Sequence, residues 1–76
     1  MEIDVFYHDR DELQFTNEYG EFKVEHILGI NYEVRELRDN RFFRIGSIKL
    51  TRKQFKDPKI VFRAILLMEE EEVDNL

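Results

Sequence analysis

The sequence predicts an α+β fold, an antiparallel meander of four or five strands followed by a C-terminal helix. Three observations carry that reading. Apolar side chains alternate with polar ones through the first two-thirds of the chain, turn residues interrupt the alternation at short intervals, and helix-start signals follow from Thr51 onward. Seventy-six residues make one domain, here residues 1–70, with an acidic tail over 71–76.

Each element has a local cause. Ile3, Val5 and Tyr7 alternate with their neighbours until Asp9-Arg10-Asp11 breaks the run. Leu13 and Phe15 form a second run, closed by Asn17-Glu18-Tyr19-Gly20. Phe22 and Val24 begin a third, and Tyr32 and Val34 a fourth. Gly29 between them is either a turn or a bulge in one long strand, which leaves the strand count open. Asp39-Asn40 is the next turn. If it closes a two-residue hairpin, Arg38 faces Arg41, Leu37 faces Phe42, Glu36 faces Phe43, Arg35 faces Arg44 and Val34 faces Ile45. Apolar parity then changes from Phe43 and Ile45 to Ile48 and Leu50, which predicts a bulge at Gly46.

Thr51-Arg52-Lys53-Gln54 has capping-box spacing, and Asp57-Pro58 supplies a second cap followed by proline in the first helical position. The expectation is a short turn near 52–56 and a main helix from Pro58 to about Glu70. From Ile60 to Met68 the only polar residue is Arg63. At 100° per residue the apolar positions cover about 260° of the circumference, whereas a surface helix needs a stripe of roughly 100°. A second copy of the chain is therefore expected against the helix, with Phe62, Ile65 and Leu66 at a two-fold interface.

Charge is sorted along the chain. Residues 1–34 hold nine acids and two bases, residues 35–63 hold ten bases and three acids, and residues 64–76 add five acids. The net charge of -5 thus conceals a basic block with interleaved aromatics, the composition of a nucleic-acid surface. Like charges opposite each other on a sheet are unfavourable, so Arg35/Arg44 and Arg38/Arg41 require an anion. It is either a neighbouring carboxylate, such as Glu33 or Glu36, or a phosphate backbone. Phe42, on the Arg35/Arg44 face, is placed to stack a base or to pack under another part of the chain. Arg35, Arg38, Arg41, Phe42, Arg44, Lys49, Arg52 and Lys53 are the candidate contacts to single-stranded nucleic acid.

Tyr32-Glu33-Val34-Arg35-Glu36, followed by Gly46-Ser47-Ile48-Lys49-Leu50-Thr51-Arg52-Lys53-Gln54-Phe55, resembles the positive-cofactor-four type of single-stranded DNA-binding domain. The resemblance spans roughly residues 30–56. It implies a curved antiparallel sheet, a helix that mediates dimerisation, and a place on or near the strand-binding surface for Arg35 and Lys49. The chain departs from the family pattern at Ile45, where a lysine is usual, and has no tryptophan-bearing second strand.

A competing reading is an acidic protein-binding module, such as a phage or mobile-element inhibitor of a nucleic-acid-binding host protein. Its acidic first strands would mimic nucleic acid or cap a basic target. Catalysis has little support: there is one serine, no cysteine, and no nucleotide or hydrolase fingerprint. His8, Asp9, Asp11 and His26 can be drawn as a metal site, but aspartates beside a strand end are expected for turn formation alone, and no metal or cofactor is called for. Without cysteine, a signal-peptide-like start or an apolar run longer than Ala64–Met68, the chain reads as cytoplasmic, with no membrane partner.

Overall fold

A computed structural model describes residues 2–68. The strands are β1 (Asp4–His8), β2 (Glu12–Asn17), β3 (Gly20–Leu28), β4 (Asn31–Arg38) and β5 (Arg41–Lys49), and the helices are α1 (Arg52–Phe55) and α2 (Pro58–Leu67). The strands form one antiparallel sheet in the order β1-β2-β3-β4-β5. The meander is therefore five-stranded, with a C-terminal helix packed on one face.

The turns follow from their residues. Asp9 Oδ1 accepts the backbone N–H groups of Asp11 at 2.9 Å and Glu12 at 2.8 Å, which reverses the chain between β1 and β2. Gly29 resolves as a turn between β3 and β4, at φ +60°, with a register shift just before it between His26 and Leu28. Asp39 and Asn40 both adopt positive φ, 51° and 64°, as a two-residue type I′ hairpin requires. That turn gives the expected pairs from Arg38↔Arg41 to Arg35↔Arg44.

Beyond Arg35 the expected register fails by one residue: Val34 pairs with Gly46, and Ile45 is the extra residue of the bulge. Glycine suits the covered face here: a Cβ at position 46 would stand 2.6 Å from the Met68 Sδ, so a side chain opposite Val34 would require the Met68 side chain beneath the end of α2 to move aside.

The core is a single layer between sheet and helices. Leu13, Phe15, Phe22, Val24, Tyr32, Val34 and Ile48 from the sheet meet Phe55, Val61, Phe62 and Ile65 from the helices. Phe62 lies against the rings of Phe15, Phe22 and Tyr19, with centroids 5.5 to 5.9 Å apart. Tyr32 stacks on Phe55 at 4.5 Å. The capping box forms as the sequence predicts, with Gln54 N–H donating to Thr51 Oγ1 and Thr51 N–H to Gln54 Oε1.

Helix α2 stops at Leu67, short of the expected Glu70, because Met68 turns extended at ψ 141°. The run of glutamates that follows opposes the helix macrodipole and offers no incentive to continue. The acidic tail of residues 71–76 lies outside the described residues.

Candidate nucleic-acid interface

Because side chains alternate across a strand, the ladder determines what the uncovered face presents. The pairs Glu12↔Glu25 and Glu25↔Glu33 align three glutamates in one row across β2, β3 and β4. The next row reads Gln14, Lys23, Arg35 and Arg44, through the pairs Gln14↔Lys23, Lys23↔Arg35 and Arg35↔Arg44. Beyond it lies Leu37↔Phe42. The charge sorted along the chain thus becomes an acidic row beside a basic row, both perpendicular to the strands.

The two rows are stitched together. Glu33 accepts Arg35 Nε at 2.9 Å on one oxygen and Arg44 Nε at 2.8 Å on the other. Of the two anions that sequence considerations allow for the Arg35/Arg44 pair, Glu33 is the one supplied within the chain. The two guanidiniums share this one carboxylate. Lys23 Nζ stands 5.6 Å from the Phe42 ring centroid, a cation over an aromatic face. Lys23 is absent from the sequence-derived site; the β3–β4 register that brings it beside Arg35 is disturbed by a bulge and could not be read in advance.

The eight sequence-derived residues do not form one surface. Arg35, Phe42, Arg44 and Lys49 share the uncovered face, with Lys49 paired to Asn31 on the far side of the acidic row. Arg38 and Arg41 have the opposite parity at the hairpin end. Arg38 donates through Nε and Nη2 to Glu36 Oε1, and Arg41 lies 5.1 Å from the Phe43 ring. Arg52 and Lys53 sit on α1, on the covered side of the sheet.

Arg52 has a structural task there. It donates to the Arg10 carbonyl oxygen, to Asp11 Oδ1 at 3.0 Å and to His26 Nδ1 at 3.3 Å. His26 completes the chain by donating Nε2–H to the Gly29 carbonyl at 2.8 Å. His8, Asp9, Asp11 and His26 are each engaged within the fold: Asp11 and His26 with Arg52, Asp9 with its turn, and His8 with the Phe55 carbonyl. Among the described residues no group of three His, Asp or Glu side chains is placed to hold a metal ion, and no helix is long and apolar enough to cross a membrane.

The helix residues assigned to a dimer interface also divide. Phe62 and Ile65 are 3% and 7% exposed within the single chain, whereas Leu66 is 53% exposed. Ile60, Ala64 and Met68 pack partly on the core, so one chain uses most of the wide apolar arc. Comparison with protein-family models, with curated proteins and with solved structures gives no match.

Proposed function

We propose that the protein binds single-stranded nucleic acid across the uncovered face of its sheet. The observation that carries this reading is the basic row Lys23, Arg35 and Arg44 lying beside the Leu37–Phe42 row. Neighbouring strands are about 4.8 Å apart, so the row is a short cationic stripe that a flexible phosphate backbone can follow. Phe42 offers a ring beside that stripe for a base to stack on. The acidic row on the other side repels phosphate and so sets the side on which the bases lie. A duplex is too stiff and too wide to use the adjoining aromatic in this way. The resemblance of residues 30–56 to single-stranded DNA-binding domains supports the same assignment.

Titration of labelled single- and double-stranded oligonucleotides at several salt concentrations tests it. Three phosphate contacts on a single strand predict a slope of log affinity against log salt of about -2. Phe42→Ala should cost ~1–3 kcal/mol of binding if a base stacks there. No binding at low salt, by the full chain and by a chain ending at Met68, would remove the proposal; the shorter chain guards against competition from the acidic tail.

The row of Glu12, Glu25 and Glu33 supports the second reading, an acidic face for a basic protein partner, such as a nucleic-acid-binding host protein. Failure of the oligonucleotide titration would leave that reading in place.

A further inference from the structure

The two edges of the sheet differ in charge. β5 carries Arg41, Arg44 and Lys49 and no acid, and no described strand lies beyond it. β1, at the opposite edge, carries Asp4 and neither lysine nor arginine. The β5 edge is therefore a cationic rim, and Arg44 links it to the basic row of the uncovered face. A rim of this kind discourages an apolar strand and suits an acidic segment.

The chain carries such a segment, and the fold delivers it to that rim. Helix α2 gives way at Met68, whose side chain lies against Gly46 of β5. Gly46 is two residues from Arg44 and three from Lys49 along the strand. Directly after Met68 come Glu69, Glu70, Glu71 and Glu72, and then Asp74; residues 69–76 contain no base. At about 3.3 Å per residue, four extended residues span roughly 13 Å, whereas Arg44 and Lys49 stand about 7 and 10 Å along β5 from Gly46. A tether that short holds the carboxylates over the rim at an effective concentration on the order of millimolar.

The bases of α2 lie elsewhere. Lys59 and Arg63 line an open groove with Ile3, Phe62 and Leu66, on the flank of the helix toward β1. At about 100° per residue, Met68 stands roughly 140° around the helix from Arg63. The chain therefore leaves α2 on the β5 side, away from Lys59 and Arg63.

We infer that residues 69–76 occupy the β5 edge, with their carboxylates against Arg44 and its neighbours Arg41 and Lys49. The contact is built from several exposed ion pairs, so it weakens as salt is added. Arg44 also belongs to the row proposed for phosphate, so the segment competes with a bound strand there. That consequence rests on the proposed function; the contact itself does not.

The chain has no cysteine, so Asn75→Cys provides one thiol for a nitroxide label and leaves every charge in place. In the full chain at low salt, the label should broaden amide signals most along β5 and least along β1, about 19 Å away across four strand spacings. The tether alone brings the label toward β5, so the dependence on charge is what reports docking. Glu69→Gln, Glu70→Gln, Glu71→Gln and Glu72→Gln together should reduce the broadening at Arg44 about threefold or more, and about 0.5 M salt should do the same. Broadening that survives both changes, or that centres on Lys59 and Arg63, would overturn the contact. In oligonucleotide titrations at low salt, the glutamine variant should bind single strands about fivefold tighter than the unaltered chain, and the two should converge as salt rises. Equal affinity at low salt would show that the segment leaves Arg44 open and would overturn the inference. Charge-dependent broadening with no strand bound by either chain would establish the contact and remove the proposed function.

Discussion

Glu33 shows how one side chain reconciles a local conflict. Arg35 and Arg44 are opposed across β4 and β5, an unfavourable arrangement alone, and both donate to this carboxylate. Glu33→Gln takes from both guanidiniums the carboxylate they share. Both are well exposed, so solvent limits the loss, and the variant should lose about 1 kcal/mol of stability in urea denaturation. If phosphates bind the basic row, the same variant should bind single strands about threefold tighter or more at low salt, because a repelling charge is gone. The Tyr7–Asp9 pair makes a different prediction. The hydrogen bond from Tyr7 and those from the backbone of Asp11 and Glu12 hold the Asp9 carboxyl below its ordinary range, while the bond to Asp9 raises the Tyr7 phenol. A lowered folded-state pKa stabilises at pH values above the unfolded carboxylate's range, and the contribution disappears as pH falls through the folded value. For Tyr7 the sense is reversed: its contribution is present below the ordinary phenol range and is lost as pH rises through the raised value. In Tyr7→Phe the Asp9 carboxyl should titrate at higher pH, as followed by NMR. An unmoved titration would show that the backbone N–H groups alone hold it down.

At the scale of elements, local chemistry accounts for most boundaries. The capping box starts α1, Asp57-Pro58 starts α2, and the Asp39-Asn40 turn sets the register of β5 as far as Arg44. Where the reading of the sequence missed, the cause was an element elsewhere. Gly46 rather than Ile45 opposes Val34, at a place where the Met68 side chain from the end of α2 lies against the position a Cβ would take. Arg52 looked like a phosphate ligand because it belongs to a basic run, and nothing local announced its link to Arg10, Asp11 and His26. That link joins α1 to the β1–β2 turn and to the β3–β4 hairpin. Arg52→Ala should therefore cost about 1–2 kcal/mol and accelerate amide exchange at Glu12 and His26, whose N–H groups donate to Asp9 Oδ1 and the Asp11 carbonyl. Unchanged exchange at both sites would show that the turn holds without the clamp.

For the whole molecule, a domain of this length has a total stability of roughly 4–11 kcal/mol, so one core ring is a large share of it. Phe62 joins β2, the β2–β3 turn, β3 and α2 through its contacts with Phe15, Tyr19 and Phe22. Phe62→Ala should cost about 3–5 kcal/mol and leave the chain unfolded or nearly so in a thermal melt, whereas Leu66→Ala should stay within about 0.5 kcal/mol for folding. Equal losses would mean that Leu66 is buried by a partner under the conditions of the melt. The amino-acid sequence by itself determined the antiparallel meander with its C-terminal helix, since period-two alternation, turn residues and helix caps act within a few residues of one another. It also determined the Arg35/Arg44 opposition, because a two-residue turn leaves no freedom of register. Only the tertiary structure decided that Glu12, Glu25 and Glu33 form one row, that Lys23, Arg35 and Arg44 form the next, and that Phe62 and Ile65 are consumed inside a single chain. Those alignments join residues eight to thirteen positions apart across turns and a bulge, and a shift of one residue would send each side chain to the other face; packing of the shared core, not local preference, selects among the possible registers.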